Sequence, residues 1–129
     1  MNRILGLGLD LVDVDRLALA LERHGAAFVA RVCRDGEAKP LAGRPLATHL
    51  AGLFAAKEAA MKALGTGWAA GIGFRQIEVE RESGGAPRLR LHGAAEERAR
   101  LLGVDRTHVS ITHDGRSAVA VVILEGDPD

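Results

Sequence analysis

Cysteine, aromatic side chains and long apolar runs are all scarce in this 129-residue chain. Its single cysteine, Cys33, excludes an internal disulfide and agrees with a reducing compartment. Three phenylalanines and one tryptophan, with no tyrosine, are too few to form a platform on which nucleic-acid bases would stack. The longest apolar runs, at residues 4–9 and 118–124, are far shorter than a membrane-spanning helix. The first of them also lacks the length and the cleavage site of a secretory signal.

Net charge is absent as well, because 17 basic residues balance 17 acidic ones. A neutral chain has no overall field to attract nucleic acid or an anionic membrane. Apolar residues make up 47% of the chain, which argues against disorder. We therefore expect a cytoplasmic protein, folded as one domain over residues 1–129, that binds neither nucleic acid nor membrane.

Hydrophobic periodicity predicts an α+β fold, an antiparallel sheet packed against one long helix and several short ones. Strands are predicted at residues 3–14, 74–82, 88–92, 108–113 and 117–124. Helices are predicted at residues 16–24, 26–33, 46–64 and 94–102, of which 46–64 has the strongest pattern.

The first strand has two unlike faces. One face is fully apolar and consists of Leu5, Leu7, Leu9 and Leu11. On the other face, Gly6 and Gly8 lead to Asp10, and glycines in a strand often allow a close approach by another backbone. If the helix bearing Glu58 packs here, two carboxylates converge and need a proton or a cation between them; Mg²⁺ would suit this role. The alternative is that Asp10 serves as a turn or helix N-terminal aspartate.

The long helix carries Glu58 and Lys62 four residues apart, which is also the spacing of an ordinary surface ion pair. Lys57 and Glu58 lie about 100° apart around the helix, so one of the two is expected to be exposed. The helix ends at Gly65-Thr66-Gly67, which is either a plain C-cap or, with Lys62, a phosphate-binding loop. His113 can be structural or a base, and Asp114 suits the first position of its Asp-Gly turn. Arginines along the two short helices, with Phe28 among them, are either a solvated face or a dock for an acidic partner.

Three segments of the chain resemble the motifs of one family, the holo-acyl-carrier-protein synthases. Residues 6–12, GLGLDLV, together with Arg16, are similar to the family's opening motif. Residues 54–67, FAAKEAAMKALGTG, are similar to its signature almost position by position. Residues 110–113, SITH, are similar to its third motif. Their order and spacing cover nearly the whole chain.

The resemblance implies a Mg²⁺-dependent 4′-phosphopantetheinyl transferase of lipid metabolism and fatty acid biosynthesis. It implies transfer of phosphopantetheine from coenzyme A to a serine of apo-acyl carrier protein, with adenosine 3′,5′-bisphosphate as by-product. It also implies the fold of this family and a homotrimer whose active sites lie between subunits. It assigns catalysis to Asp10, Glu58 and Lys62 and the metal to Asp10 and Glu58. It further assigns coenzyme A to Lys62, Gly65, Thr66, Gly67, Thr112 and His113, and the carrier protein to Arg16, Phe28 and Arg31.

Three alternatives remain open at this point. The chain could bind a nucleotide without turnover, or it could be a structural protein in which Glu58 and Lys62 form a surface pair. It could also be an enzyme whose acceptor is a carrier domain of a polyketide or peptide synthase. The base that takes the serine proton is Glu58, a metal-bound water or Asp114, and the sequence does not choose among them.

Overall fold

A computed structural model describes residues 1–40, 43–66, 71–81 and 85–128. The chain runs through β1 (Arg3–Asp13), α1 (Val14–His24), α2 (Ala26–Val32), α3 (Leu46–Leu64), β2 (Ile77–Arg81), β3 (Pro87–Leu91), α4 (Gly93–Leu102), β4 (Val104–His113) and β5 (Ser117–Gly126). The predicted α+β class, with antiparallel strands against one long helix, is confirmed. No helix in these described ranges is long and apolar enough to cross a membrane.

Two antiparallel sheets make up the β structure. Strands β1, β5 and β4 form a three-stranded sheet in that order, and β2 pairs with β3 in a separate hairpin. The alternate residues of β5 that face α3 are buried, and they are Ala118, Ala120, Val122 and Leu124. Helix α3 lies against this face and is buried along most of its length, so it is the centre of the core.

Several element boundaries differ from the predicted ones because of local hydrogen bonds and strand pairing. Residues 74–76 form a 3₁₀ turn rather than the start of β2, because the Gln76 amide bonds to the Gly73 carbonyl. Strand β4 begins at Val104 instead of residue 108, since its first residues pair with the end of β5. The long helix was predicted with its observed bounds, and Gly65 ends it with φ 77°.

The two faces of β1 have opposite environments. Gly6 and Gly8 lie directly beneath α3, where a Cβ atom would overlap the carbonyl oxygens of Ala63 and Ala59 respectively. The predicted close approach of a helix to the glycine face is thus confirmed. The leucine face points away from the core, and Leu7, Leu9 and Leu11 are 59%, 56% and 69% exposed. The apolar face of the first strand is therefore an exposed surface of the isolated chain.

Candidate active site

Asp10 and Lys62 meet where β1 crosses the last turn of α3. Lys62 Nζ donates hydrogen bonds to Asp10 Oδ1 at 3.0 Å and to the Leu9 carbonyl at 2.9 Å. Asp10 lies within β1, paired with Ala120, so the alternative of a turn or helix-capping aspartate is wrong. The two glycines preceding it allow α3 to come close enough for this contact.

Glu58 lies one turn before Lys62 on α3 and is electrostatically coupled to the same group. Burial raises the pKa of Glu58, and the negative charge of Asp10 raises it further, whereas Lys62 and Arg16 oppose the shift. Carboxylates influence each other in this way when they share a site. The structure thus brings together the three residues predicted to be catalytic.

The Asp10–Glu58 pair fits a hard divalent cation. Carboxylate oxygens are the ligands that Mg²⁺ prefers, and this ion commonly takes one or two of them, completing its shell with water and substrate phosphates. A cation between the two would also remove the repulsion that raises the Glu58 pKa. Within the described part of the chain, no group of three or more His, Cys, Asp or Glu side chains could hold a metal. Asp10 and Glu58 would therefore need further oxygens from substrate or water.

A groove of about 380 Å³ opens beside Glu58, between α1, α2 and α3. It contains the three residues predicted to meet a carrier protein, and its lining includes Arg16, Phe28, Arg31, Phe54, Glu58 and Phe74. The Phe54 and Phe74 rings lie 5.0 Å apart, and the Arg16 guanidinium carbon is 6.0 Å from the centre of the Phe54 ring. Aromatic rings and arginines at the mouth of an acidic site form a surface for an anionic partner.

Sequence reasoning did not predict that Phe74 lines the groove. The only sequence feature that could have drawn attention to Phe74 is the scarcity of aromatic residues. Sequence reasoning also missed Lys57. One of the neighbours Lys57 and Glu58 was expected to be exposed, but the Lys57 side chain is completely buried. Lys57 Nζ donates to Glu37 Oε1 at 2.8 Å and to the Phe74 and Ile77 carbonyls at 3.0 and 2.7 Å. Glu58 is half-buried, so the expectation that one of the two is exposed was wrong. The partners of Lys57 lie 17 to 20 residues away, beyond helical periodicity.

The end of α3 contains a buried polar group with no assigned role in the fold. Thr66 Oγ1 is buried and has no hydrogen-bond partner among the residues that the structure describes. Gly65 adopts the left-handed conformation of a helix C-cap, as one of the two alternatives predicted. Gly67, the third residue of this predicted loop, lies outside the described residues.

Thr112 and His113 lie apart from the carboxylate pair. Thr112 pairs with Val119, which pairs with Leu11, so all three side chains share the outer face of the sheet. His113 lines a second groove, of about 450 Å³, with Arg44, Pro45 and Thr48. A single chain therefore does not bring Thr112 and His113 to Glu58. Arg44, which lines the groove with His113, is a basic group that sequence reasoning missed.

Asp114 stabilises the turn between β4 and β5. Its Oδ1 accepts hydrogen bonds from the Arg116 and Ser117 amides at 2.7 and 2.8 Å. These bonds hold the pKa of Asp114 below its usual value. A carboxylate stabilised in this way is a weaker base than the buried Glu58.

Known proteins match this chain in sequence over nearly its whole length. The family model described as the 4′-phosphopantetheinyl transferase superfamily matches residues 6–122. A holo-[acyl-carrier-protein] synthase of Solidesulfovibrio magneticus is 51% identical over 123 residues, covering 95% of this chain and 99% of that protein. The corresponding protein of Desulfovibrio desulfuricans is 52% identical over 124 residues, covering 95% and 98%.

Solved structures show the same likeness. The holo-[acyl-carrier-protein] synthase of Neisseria meningitidis has a TM-score of 0.84 and 31% identity, covering 95% of this chain and 98% of its own. That of Bacillus anthracis, in complex with CoA (3′,5′-ADP), has a TM-score of 0.77 and 35% identity, covering 96% and 98%. The chain therefore belongs to the 4′-phosphopantetheinyl transferase superfamily: the resemblance to the holo-acyl-carrier-protein synthases is confirmed, and the protein is a transferase.

Proposed function

We propose that this protein transfers 4′-phosphopantetheine from coenzyme A to a serine hydroxyl of apo-acyl carrier protein, in a Mg²⁺-dependent reaction. The products are the holo-carrier and adenosine 3′,5′-bisphosphate. The observation that carries this proposal is the convergence of Asp10, Glu58 and Lys62 beside a groove rich in arginine and phenylalanine. The names of the relatives, and the coenzyme A in the Bacillus anthracis structure, support it.

The main task of catalysis is to stabilise the negative charge on the transferred phosphate. Negative charge spreads over the phosphate oxygens as the bond to the leaving group breaks, and fixed cations stabilise it. Lys62 is 53% exposed at its side chain and so can reach an incoming phosphate while still close to Asp10. Asp10 and Glu58 would hold Mg²⁺, which supplies a second positive charge and orients the phosphate when bound.

The serine hydroxyl must lose a proton as it attacks. Glu58 is the better candidate for the general base, because it lines the groove in which the carrier would present its serine. Asp114 is held in its ionised form by two backbone amides and belongs to a turn. We therefore assign the proton transfer to Glu58, directly or through a water molecule.

The groove beside Glu58 is where the carrier protein would dock. Arg16 and Arg31 supply positive charge, and Phe28 supplies an apolar contact in the same groove. Acyl carrier proteins are the acidic partner that such a surface suits, and their affinity should fall as ionic strength rises. A carrier bound here would present its serine to Glu58, which lines the same groove.

The coenzyme A site needs a second subunit under this proposal. Lys62, Gly65 and Thr66 lie at the end of α3, and the orphaned Thr66 hydroxyl is available to a ligand. Thr112 and His113 are at the opposite edge of the sheet, so they would serve the site of a neighbouring subunit.

We propose a homotrimer, which the family resemblance implies, with the exposed outer face of the sheet as its subunit interface. It joins the leucines of β1 to apolar residues of β5, and its rows are Leu7 with Ile123, Leu9 with Val121, and Leu11 with Val119. A contiguous apolar patch of this kind is typical of a subunit interface. We propose that the chain acts as one domain over residues 1–129, in the cytoplasm, in fatty acid biosynthesis.

Mass spectrometry of the carrier tests the reaction directly. Purified protein is mixed with apo-acyl carrier protein and coenzyme A, with and without Mg²⁺. A gain of one phosphopantetheine group that requires the metal is expected. Glu58→Gln should abolish the gain, whereas Glu96→Gln, an exposed carboxylate on α4, should leave it intact.

Three outcomes would redirect the proposal. Coenzyme A binding without transfer to any carrier would favour a binding module instead of an enzyme. Transfer only to a carrier domain of a polyketide or peptide synthase would keep the chemistry and change the acceptor. Equal activity of Glu58→Gln and the wild type would favour a structural role for Glu58.

A further inference from the structure

Helix α2 is a short element that carries two of the groove residues. It spans only Ala26–Val32 and has no side-chain cap at its N-terminus. Phe28 and Arg31 project from it into the groove beside Glu58. A helix of two turns is not stable alone, and its last carbonyl groups have no partner within the helix. Something outside α2 must therefore fix its C-terminal end.

Arg75 supplies this attachment from the 3₁₀ turn that precedes β2. Its Nη1 donates hydrogen bonds to the Ala30 carbonyl at 2.9 Å and to the Cys33 carbonyl at 2.7 Å. A guanidinium at this position also complements the negative end of the helix dipole. In return, Arg34 Nη1 donates to the Arg75 carbonyl at 2.8 Å. Each arginine thus binds the main chain of the other segment, and we call this arrangement the arginine clamp.

The arginine clamp joins two segments that line the groove. Arg75 follows Phe74, a lining residue, and it binds the end of α2, which carries Phe28 and Arg31. Arg75 itself is exposed and is not among the residues that line the groove. A substitution of Arg75 therefore removes these two hydrogen bonds without leaving a cavity in the core.

We propose that Arg75 is a positioning residue for recognition of the carrier protein, acting through α2 on Phe28 and Arg31. This inference rests on the proposed function, because it takes the groove to be the acceptor site. The clamp keeps the two side chains in place before the carrier arrives, so that binding does not have to order them. Its loss should weaken carrier binding and leave the coenzyme A site, at the far end of α3, unchanged.

Steady-state kinetics with two substrates provide the test. Arg75→Ala should raise the KM for the carrier about fivefold to tenfold, the effect of losing roughly 1–1.4 kcal/mol of binding. The KM for coenzyme A and kcat at saturating carrier should not change. Arg75→Lys retains a donor and should give an intermediate KM. Arg90→Ala removes an exposed arginine on β3, paired only loosely with Glu80 at 3.5 Å, and serves as the matched control.

A double-mutant cycle separates positioning from direct contact. In a Phe28→Ala/Arg31→Ala background, Arg75→Ala should raise the carrier KM by less than about twofold, since both side chains that it positions are gone. A full and additive increase would mean that Arg75 touches the carrier itself, and the proposal would be wrong. If Arg75→Ala does not fold, Arg34→Ala breaks the other half of the clamp and should show the same split in KM.

The remaining outcomes are also decisive. If the wild type is active and Arg75→Ala leaves the carrier KM unchanged, the role proposed for Arg75 is wrong and the proposed function stands. A parallel rise in the KM for both substrates indicates a general loosening of the fold and likewise contradicts the proposal. Failure of the wild type to modify any carrier overturns the proposed function, and the role of Arg75 with it.

Discussion

Gly8 of β1 lies so close to Ala59 of α3 that a Cβ atom at Gly8 would overlap the Ala59 carbonyl oxygen. The overlap would be with main chain and not with a side chain, so no change of rotamer could relieve it. This contact sets the separation of strand and helix two residues before Asp10. It therefore also sets how closely Asp10 and the α3 residues Glu58 and Lys62 approach each other.

Gly8→Ala should consequently disturb both stability and activity. We expect the free energy of unfolding to fall by about 1–3 kcal/mol, as in other overpacked cores, and transfer activity to fall with it. Urea unfolding and the carrier mass assay measure the two effects. Gly115→Ala is the matched control, because nothing lies within 4 Å of a Cβ atom at that position. Equal stability of the two variants would contradict the close contact.

Lys57→Met should destabilise the protein without touching the groove surface. Lys57 is fully buried, and its ammonium group is neutralised by Glu37 at 2.8 Å. Removal of one partner leaves the other as an uncompensated buried charge, which costs about 3–5 kcal/mol. Urea unfolding measures the loss, and Lys39→Met, at an exposed lysine, should change little. A loss below about 1 kcal/mol would contradict the importance of this ion pair.

Leu9→Asp tests the exposed face of the sheet. Leu9 is 56% exposed in the single chain, and a carboxylate there would be buried in an apolar subunit interface if the proposed trimer forms through this face. We expect wild-type protein to run as a trimer in light scattering coupled to size exclusion, and Leu9→Asp to run as a monomer. Leu101→Asp, at a 71% exposed leucine on α4, should remain trimeric. A monomeric wild type would rule out the proposed trimer.

Cys33 should be unreactive in the native protein. It is a free, buried cysteine, and burial raises the pKa of its thiol to about 11. Because the thiolate is the reactive form, modification by a thiol reagent at pH 8 should proceed only as the protein unfolds. The unfolded thiol ionises near its ordinary value of 9.0, so stability should decline as pH rises from about 9 to 11. Rapid labelling in native buffer would contradict this burial, and Cys33→Ala should lose the decline.

Local sequence signals predicted most of the elements and part of the site. The bounds of α3 and its end at Gly65 follow from helical periodicity and a left-handed cap, which depend on neighbouring residues. The face of β1 with Gly6, Gly8 and Asp10 follows from strand alternation in the same way. The first turn of residues 74–82 was predicted wrongly as strand, because a 3₁₀ turn depends on one hydrogen bond from Gln76 to Gly73.

Hydrogen-bond partners that are distant in the chain could not be predicted from local sequence patterns. The spacing of Glu58 and Lys62 indicated a possible surface pair, yet Lys62 bonds to Asp10, 52 residues away. Arg75 lies 42 residues from Cys33, whose carbonyl it binds, and no periodicity links such positions. The sequence by itself therefore determined most of the elements, the family motifs and which residues are candidates for the chemistry, because these rest on short-range patterns. Tertiary structure alone decided that Lys57 is buried, that Thr112 faces away from Glu58 and that the leucine face is exposed, because packing between distant segments controls burial and contact.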